Sequence, residues 1–498
     1  MSFSVFTGFV AMGETYRNMQ GISDIVIINI GGVPFIAVGS EAYGSVNVFD
    51  VGAGVPVLAS SVEYSPWSGT ATLSDMALLE RESGRQLLTL GRYDDNFGLY
   101  DISLDGTLSH SRSLQDESGR FERGFVSTVQ NFRDYTVIYS ARFGTGGVQI
   151  HRLFEDGTVE FQRTLVGGWA PLSDVTTIEY SDLHGQRFLF AASGIDTGVT
   201  VFDVNASGNL RVTGRHLPRD GDGLYGITDV APVQVAERAF LVVGSSETDS
   251  LTVLRVSRGG ELNQVEHLID TRDTRFGGVA EVEVVEAAGR VFVFAGGGDD
   301  GIAVLELDYR GRLHHLASIA DDFGTTLQNV SALEVRVVGN QAHLYVGSAT
   351  ENGITELIVD LERGGQDLRG GAIPETLSGT AGNDIIWGMG RGDMLYGRAG
   401  DDRLVDGRGR DTLSGGPGAD IFEFIEDGRN DFIIDFQFGH DRIDLSAFDH
   451  LYHFTDLTIG PRLTGAAIIV GEEIIRLYSS HGGPINTDQF TQDHFIFG

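Results

Sequence analysis

The sequence predicts an all-β protein: a seven-bladed β-propeller followed by a parallel β-roll with a C-terminal cap. Three observations lead to this prediction. A pattern of short alternating strands recurs seven times with a period near 51 residues. A nine-residue pattern then recurs five times between Gly379 and Glu423. Gly accounts for 69 of the 498 residues, about twice the usual share, which favours a chain with many turns. We therefore expect a propeller at 1–370, a roll at 371–425 and a C-terminal cap region at 426–498.

The composition narrows the possible partners. A hydrophobic content of 41% indicates a globular chain. The net charge of −35 argues against nucleic acid and against anionic membrane surfaces, because both need clustered cations. Crowded carboxylates favour divalent cations, although simple solubility or a saline habitat would also explain an acidic chain. The chain has no Cys, which excludes disulfides and thiolate metal sites.

The 51-residue pattern begins with an apolar run that ends in a small residue or Gly. A second alternating run follows each copy after a short polar turn, as in SVNVFDV and GVTVFDV. The first run recurs as FIAVGS from Phe35, LLTLGR from Leu87, TVIYSAR from Thr136, FLFAASG from Phe188, FLVVGSS from Phe240, VFVFAGG from Val291 and HLYVGSA from His343.

Each copy also carries a short run before this pair and another after it, so that four strands form one unit. Alternation has period two throughout, and Gly, Asp, Asn or Ser turns bound every run. One such sheet cannot bury both of its faces, whereas a ring of seven can, and this predicts a propeller. A stacked β-solenoid or tandem sandwiches remain alternatives. The N-terminal segment SVFTGFVAM is expected to supply the outer strand of the last blade and close the ring.

The run FLFAASGIDTGVTVFDVNASGNLRV resembles a blade of the lactonase-type seven-bladed propellers. The resemblance covers about residues 20–370. It implies the fold but is weak for activity. The sequence has no HExxH, G-x-S-x-G or P-loop motif, so no catalytic set stands out.

Acidic residues recur at two places in the predicted blades. Asp24, Asp75, Asp229 and Glu281 occupy matching positions near the start of the innermost strand, where the other units have Thr128, Thr177 and Ala332. The turns between the second and third strands carry Glu41, Asp94, Asp95, Asp196, Glu247, Asp249, Asp299, Asp300 and Glu351. We interpret the turn residues as hairpin formers that solvate the rim. For the four inner carboxylates, a cation site at the channel mouth and a structural role stay equally open.

Basic residues and histidines give a weaker signal in the propeller. Arg17, Arg123, Arg219 and Arg275 precede innermost strands and are candidates for binding an anionic substrate beside the acids. His110, His151, His184 and His216 do not recur at equivalent positions, so we interpret them as surface or packing residues.

After Pro374 the 51-residue pattern is replaced by a glycine-rich pattern that repeats every nine residues. It reads GTAGNDIIW, GMGRGDMLY, GRAGDDRLV, DGRGRDTLS and GGPGADIFE. The sixth place is always Asp, at Asp384, Asp393, Asp402, Asp411 and Asp420. The eighth is always large and apolar, at Ile386, Leu395, Leu404, Leu413 and Phe422. A glycine-rich linker would not place Asp and a large apolar residue at the same two positions of every nine-residue repeat. The pattern resembles the RTX, or haemolysin-type, calcium-binding nonapeptide.

The spacing predicts how such a roll binds a cation. Six residues form a turn with inward carbonyls, and three form a strand whose middle side chain is buried. Successive turns lie on opposite edges, so Asp384, Asp402 and Asp420 stack on one edge and Asp393 and Asp411 on the other. Oxygen ligands at about 2.3–2.6 Å suit Ca²⁺. The candidate ligands within the repeats are these aspartates together with Gly379, Gly382, Gly397, Gly400, Gly415 and Gly418.

Two repeats depart from the pattern. Arg391 replaces the fourth-place Gly of the second repeat, and Asp406 replaces the first-place Gly of the fourth. We expect weaker cation binding at both turns.

The segment NDFIIDFQFGHDRIDLSAF resembles the region that follows the roll in serralysin-type secreted proteases. The resemblance implies that Asp431, Asp435, Asp441 and Asp444 are further ligands or cap residues. The terminal DHFIFG resembles the uncleaved signal of type I secretion substrates, whereas the N-terminus is a poor secretory signal. We expect the type I machinery as a partner, a Gram-negative extracellular location and no transmembrane helix.

Two functions follow as hypotheses. The first is a secreted calcium-binding protein whose propeller is a binding or surface-interaction module with an unknown ligand. The second is a secreted propeller enzyme, either a hydrolase of lactonase type or a polysaccharide lyase, that uses rim Asp and Arg residues and Ca²⁺. A deep channel that joins the inner carboxylates to an Arg and a His would favour the enzyme.

Overall fold

The computed structural model divides the chain into two compact units, one that ends at Leu361 and one that follows it. The structure describes residues 5–12, 18–63, 65, 70, 72–82, 84–115, 121, 123–166, 170–217, 223–287, 289–322, 324–361, 365–448, 451, 453–479 and 483–497. None of the helices in these ranges is long and apolar enough to cross a membrane.

The first unit consists, in its described residues, of seven four-stranded antiparallel sheets, which confirms the predicted seven-bladed propeller. Strand β1 is Val5–Met12. Blade one has β2 Ile22–Ile30, β3 Val33–Ser40, β4 Ser45–Asp50 and β5 Val57–Val62. Blade two has β6 Leu73–Arg81, β7 Gly84–Gly91, β8 Phe97–Ile102 and β9 Leu108–Leu114. Blade three has β10 Gly124–Asn131, β11 Tyr135–Arg142, β12 Val148–Phe154 and β13 Val159–Leu165.

The remaining blades repeat the same order of strands. Blade four has β14 Val175–Leu183, β15 Gln186–Ser193, β16 Gly198–Val204 and β17 Leu210–His216. Blade five has β18 Ile227–Val235, β19 Arg238–Ser245, β20 Ser250–Val256 and β21 Leu262–Ile269. Blade six has β22 Val279–Ala287, β23 Arg290–Gly297, β24 Gly301–Leu307 and β25 Leu313–Ala320. Blade seven has β26 Val330–Val338, β27 Gln341–Ser348 and β28 Gly353–Asp360.

The ring closes through the N-terminal strand, as expected. Strand β1 pairs antiparallel with β28 and becomes the outer strand of blade seven. On the inner side, the Ser331 hydroxyl of blade seven donates to the Ile22 carbonyl of blade one at 2.5 Å. Pairing of the first strand with the last blade holds the seven sheets in a closed ring, which leaves only short sheet edges.

Every blade begins with the same backbone turn. The residue just before the innermost strand has a left-handed φ of 48–63° in all seven blades. In most blades its carbonyl accepts the N–H that follows the second strand, as in Glu41 to Gly21 at 2.8 Å. The turn residues are Gly21, Thr72, Arg123, Asp174, Gly226, Gly278 and Asn329. This turn sets where the innermost strand starts, so residues at equal steps along these strands lie at equal depths.

The second unit is a two-sheeted parallel roll. The first sheet contains β29 Asp367–Arg369, β31 Ile385–Trp387, β33 Arg403–Val405, β35 Ile421–Glu423, β37 Arg442–Asp444 and β41 Phe495–Ile496. The second contains β30 Thr376–Ser378, β32 Met394–Tyr396, β34 Thr412–Ser414, β36 Asn430–Phe436, β40 Glu473–Ser479, β39 Gly465–Val470 and β38 Thr458–Arg462. Short 3-10 helices lie at Phe454–Asp456, Thr487–Gln489 and Gln492–His494.

The roll buries the predicted row of apolar side chains. All five eighth-place residues, from Ile386 to Phe422, have no exposed surface. The row continues through Ile433, Ile443, Ile475 and Phe495, so the C-terminal strands share one core with the repeats. The strand Asp367–Arg369 stacks on Ile385–Trp387 and extends the first sheet ahead of residue 371.

Candidate functional sites in the roll and the propeller

The sixth-place aspartates of the repeats form two ladders of hydrogen bonds. On one edge, Asp384 N donates to Asp402 Oδ1 at 2.7 Å, and Asp402 N donates to Asp420 Oδ1 at 2.9 Å. On the other edge, Asp393 N donates to Asp411 Oδ1 at 2.6 Å. All five carboxylates are buried. Each bond spans 18 residues, or two repeats, and this confirms the predicted stacking of alternate turns.

Four of the five aspartates keep one carboxylate oxygen free of hydrogen bonds to described residues, two in each ladder. The Oδ2 atoms of Asp393, Asp402, Asp411 and Asp420 are buried and have no hydrogen-bond partner among the described residues. Asp384 differs, because its Oδ2 accepts the Thr380 N–H at 2.6 Å. Burial of a charged oxygen without a partner destabilises the folded state, so a bound cation or a proton at these atoms would stabilise it.

The pKa values of these aspartates reflect that cost. Burial, followed by repulsion from Asp384, raises the pKa of Asp402 to about 7. Burial and repulsion from Asp393 likewise raise the pKa of Asp411 to about 7. Burial and repulsion from Asp441 raise the pKa of Asp420 to about 8. In each case a ladder N–H opposes the rise but does not cancel it, so a cation that neutralises the carboxylates would stabilise the fold.

First-place glycines make room for the aspartates of the first edge. A Cβ on Gly379, Gly397 or Gly415 would lie 2.3, 2.2 or 2.0 Å from Oδ2 of the aspartate in the same repeat. The fourth-place Gly400 and Gly418 have φ values of 115° and 155°, and a Cβ on Gly400 would lie 2.5 Å from the Gly382 carbonyl oxygen. The glycines therefore keep backbone and carboxylates in close contact, and their role as carbonyl ligands stays a prediction.

The aspartates after the repeats have protein partners of different kinds. Asp441 accepts the Asp420 N–H at 3.1 Å and the Gln437 N–H at 2.7 Å, so it continues the first ladder. Asp431 continues the second ladder by accepting the Asp411 N–H at 2.8 Å. Asp435 accepts from Ser414, Gly415 and Gly416. Asp444 is paired with Arg403 at 2.6 Å. The partners of Asp435 and Asp444 favour the cap role over the ligand role that the sequence left open for them.

The donors of the roll fit calcium. The free atoms are carboxylate oxygens, and neither Cys nor His belongs to the ladders. Hard cations that take many oxygen ligands match such a site better than zinc or copper. Main-chain carbonyls of the glycine-rich turns are the remaining oxygens that such an ion could use.

The propeller contains a central cavity of about 720 Å³ lined by the innermost strands. Asp24, Asp75, Asp229 and Glu281 all line it, which confirms that these four residues lie together. The register of the strands corrects the match in blade three, where Val126 and not Thr128 takes the equivalent position. All seven innermost strands have a bulge after their first residue, but blade three begins with Gly124 where the others begin with Ile, Leu or Val. The apolar run of blade three therefore starts two residues late in the sequence.

Three of the four inner carboxylates join neighbouring blades. Asp24 Oδ2 accepts the Met76 N–H at 2.6 Å, and Asp75 Oδ2 accepts the Ser127 N–H at 3.0 Å. Asp229 Oδ2 accepts the Val282 N–H at 2.9 Å. Glu281 accepts no hydrogen bond from a described residue, although it lines the same cavity. The aspartates therefore have a structural role, whereas Glu281 is free to meet a ligand.

Sequence reasoning missed a second acidic layer. Glu179, Glu283 and Glu334 lie two residues further along their strands and also line the cavity. Burial, and then repulsion by Asp24, raises the pKa of Glu334 to about 8. Burial, with repulsion by Asp229, raises the pKa of Glu179 and Glu281 well above the usual range. Side chains two residues apart in a strand lie on the same face, so the sequence could have predicted that these glutamates lie on the same face as the first layer.

The acidic turns at the propeller rim support the hairpin interpretation. Asp249 Oδ1 accepts the Gly278 N–H at 2.6 Å, and Asp300 Oδ1 accepts the Asn329 N–H at 3.1 Å. Asp196 Oδ2 accepts the Ser173 N–H at 2.8 Å, and Glu351 Oε2 accepts the Gln328 N–H at 3.1 Å. These turns hold the segments that lead into innermost strands.

The two predicted basic candidates within the described residues do not line the cavity. Arg17 and Arg219 lie outside the described residues. Arg123 and Arg275 are not among the residues that line the cavity, whereas Arg92 is. No His belongs to the described lining. His151 is buried against the Phe121 ring at 4.3 Å, which agrees with a packing role.

Replacement of Asp229 by Ala should destabilise the propeller. It removes the acceptor of the Val282 and Val230 N–H groups and of the Thr177 hydroxyl, at 2.9, 2.8 and 3.1 Å. We expect a loss of about 2–3 kcal/mol in the free energy of unfolding, measured by urea denaturation. The matched variant Glu281→Gln removes an acid without hydrogen bonds and should stay within about 0.5 kcal/mol of the wild type or exceed it. Equal losses in both variants would refute the structural role of Asp229.

The propeller should become less stable as the pH rises through neutrality. Burial raises the pKa of Asp75 to about 7 and that of Glu334 to about 8, so the folded state holds protons that the unfolded state has released. Stability conferred by a raised carboxyl pKa is present at low pH and is lost as the pH rises. In excess EGTA, we expect the midpoint of thermal unfolding to be about 3 °C or more higher at about pH 6 than at about pH 8.5. A midpoint in calorimetry that is the same at both pH values, or higher at about pH 8.5, would contradict the prediction that these carboxyls are protonated in the folded propeller.

The comparison with protein-family models agrees with the geometry of the roll. The family model of the RTX calcium-binding nonapeptide repeat matches residues 369–397 and 396–423. The chain therefore carries RTX calcium-binding repeats as well as a seven-bladed propeller. A solved structure of a protein from Lactobacillus plantarum is 16% identical and covers 63% of this chain and 94% of its own, with a TM-score of 0.44. A functionally unknown protein from Desulfotomaculum acetoxidans is 11% identical and covers 65% of this chain and 98% of its own, with a TM-score of 0.44. No curated protein matches the sequence.

Proposed function

We propose that this chain is a secreted calcium-binding protein in which Ca²⁺ folds the roll outside the cell and the propeller is an extracellular binding module. The observation that carries the proposal is the row of buried, unpartnered Oδ2 atoms on Asp393, Asp402, Asp411 and Asp420. We keep the predicted ranges 1–370 for the propeller, 371–425 for the roll and 426–498 for the cap with the secretion region, except that the strand Asp367–Arg369 belongs to the roll.

Calcium would act on the roll by linkage. Asp393, Asp402, Asp411 and Asp420 would hold the ions through Oδ2, with glycine-turn carbonyls from Gly379 to Gly418 and with Asp384 and Asp441 at the ends of the first ladder. Bound Ca²⁺ supplies the positive charge that buried carboxylates lack. Where Ca²⁺ is scarce, mutual repulsion keeps this segment unfolded, and millimolar Ca²⁺ then selects the folded form.

This linkage fits export through a type I route. A segment that is unfolded in the cytosol can be threaded, and calcium outside the cell would favour its folded form. RTX repeats are typical of secreted proteins. Co-expression with a type I exporter tests the route: the full chain should appear in the medium, and a chain without residues 426–498 should stay inside the cell. Equal export of both would refute the assignment.

The propeller channel is proposed to bind a cationic group. Glu179, Glu281, Glu283 and Glu334 line the cavity, and no described Arg forms an ion pair with any of them. A positively charged ligand would relieve the repulsion that raises their pKa values. We would titrate the full chain with spermine by calorimetry in excess Ca²⁺. Binding that is lost in the double variant Glu281→Gln, Glu283→Gln supports the module, and no binding overturns it.

A propeller enzyme remains the second candidate. One observation favours it: burial raises the pKa of Asp75 to about 7, a value suited to proton transfer at neutral pH. Arg92 lines the cavity too, but the expected His is absent from the described lining. Turnover of lactones, phosphoesters or uronate polysaccharides by the full chain, lost in Asp75→Asn, would establish this alternative. No turnover across the panel would exclude these three reactions.

A further inference from the structure

One acidic residue of the roll lies where the repeat pattern has Gly. Asp406 opens the fourth repeat, and its side chain is 1% exposed. Its Oδ1 accepts the Gly407 N–H at 2.5 Å and the Ile425 N–H at 3.1 Å, so the carboxylate is held inside the turn. The nonapeptide pattern provides no carboxylate at this place, and the sequence alone predicts weaker binding there.

The second edge of the roll has room for this side chain. On the first edge, a Cβ at the first place would lie 2.0–2.3 Å from Oδ2 of the aspartate in the same repeat. On the second edge, a Cβ on Gly388 would lie 3.3 Å from Asp393 Oδ2, although it would lie 2.1 Å from the Asp406 carbonyl oxygen of the next turn on that edge. On this edge the backbone of the next turn, and not the sixth-place carboxylate, is what a first-place side chain would meet, so the Asp406 side chain leaves Asp411 in place.

Asp406 completes a cluster of three buried carboxylates. One oxygen each of Asp406, Asp411 and Asp431 lies within 4.8 Å of the other two. The three side chains are at most 1% exposed, and none forms an ion pair with a described Arg or His. Asp411 Oδ2 has no hydrogen-bond partner among the described residues, although it is fully buried. An orphaned oxygen in a group of acids this close marks a position for a cation.

A fourth carboxylate flanks the cluster. Glu473, at the start of β40, is 1% exposed, and its Oε1 atom is buried without a partner among the described residues. Its Oε2 accepts the Asp427 and Gly428 N–H groups at 3.2 and 2.8 Å. The Glu473 carboxylate is close enough to repel that of Asp431. The negative charge at this end of the roll therefore exceeds that between two ordinary repeats.

We propose that Asp406, Asp411 and Asp431 form a distinct three-carboxylate cation site, which binds Ca²⁺ more tightly than the gaps between consensus repeats and prefers trivalent lanthanides. The inference rests on the proposed calcium-binding function and adds one site to it. Oxygen sites gain affinity with the number of charged ligands, and a third carboxylate favours a cation of higher charge but similar size.

Calcium and lanthanum titrations of the full chain test this site. Asp406→Asn keeps the acceptor oxygen and the shape but removes the charge, and Asp406→Gly restores the consensus residue. The control Glu426→Gln removes one charge from an exposed side chain of the same segment. Circular dichroism in excess Ca²⁺ checks that each variant folds.

We expect both Asp406 variants to lose the tightest class of site, with its Kd weakened about tenfold or more and its preference for La³⁺ over Ca²⁺ reduced. Glu426→Gln should match the wild type. If the Asp406 variants bind both ions as the wild type does, this site is refuted while the calcium-binding repeats stand. If the wild type binds no Ca²⁺ at all, the proposed function fails together with the site.

Discussion

Removal of Ca²⁺ with EGTA is expected to unfold the roll and to leave the propeller folded. Without a cation, the buried Asp402, Asp411 and Asp420 carboxylates must stay charged without compensation or take up protons. Either state costs several kcal/mol for each carboxylate, so the row as a whole costs about as much as the 5–15 kcal/mol that stabilise a typical domain. The propeller has its own cores between blades and no comparable ladder of orphaned oxygens in its described residues.

Limited proteolysis with trypsin gives a direct readout of this change. All basic side chains of the chain are Arg, and Arg398, Arg403 and Arg410 lie within the repeats. In Ca²⁺ these sites should resist cleavage, and in EGTA they should be cut while a fragment that ends near Leu361 survives. Circular dichroism should show a partial loss of β signal that Ca²⁺ restores and Mg²⁺ does not. Resistance that is the same in both buffers would refute a calcium-dependent roll.

Asp420→Asn should have the largest effect of any single isosteric change in the roll. The variant keeps Oδ1 for the Asp402 N–H, at 2.9 Å in the wild type, but puts an amide donor where the free Oδ2 lies. Asp420 also lies between Asp402 and Asp441 in the first ladder, so the change affects the gaps on both sides. We expect the Ca²⁺ concentration at the midpoint of roll folding to rise about tenfold or more.

A matched control keeps this prediction specific. Asp493→Asn removes the same charge from an exposed residue of the last 3-10 helix and should leave the midpoint unchanged. The two variants are compared in one Ca²⁺ titration followed by circular dichroism. A common shift in both would indicate a net-charge effect, and no shift in Asp420→Asn would show that its Oδ2 holds no ion.

Much of the fold follows from local patterns. The nine-residue spacing predicted that Leu404 and Phe422 are buried, and the 51-residue period predicted seven blades. Both predictions depend on side-chain alternation and on turn residues, which are local features of the sequence. Stacking of Asp384 on Asp402 and Asp420 also followed from the period. These repeats are visible in the sequence because each copy packs against neighbouring copies in the same way.

What the sequence could not give depends on register and on contacts between distant segments. Blade three begins with Gly124 where the other blades begin with Ile, Leu or Val, so the apolar pattern pointed to Thr128 in place of Val126. The ion pair of Asp444 with Arg403 joins residues 41 positions apart and competes with a ligand role. Asp406 looked like a defect of the repeat, yet its carboxylate lies beside those of Asp411 and Asp431. Glu179, Glu283 and Glu334 lie two residues after the first-layer positions, so the alternation of side chains along a strand was sufficient to predict that they face the cavity.

A crystal structure of the full chain grown in millimolar Ca²⁺, with anomalous scattering recorded for the metal, tests the central claim most directly. Anomalous peaks should lie within about 2.3–2.6 Å of the Oδ2 atoms of Asp402, Asp411 and Asp420, with turn carbonyls completing each site. Well-ordered turns whose Oδ2 atoms contact only water or protein, at a Ca²⁺ concentration that keeps the roll folded, would contradict the claim.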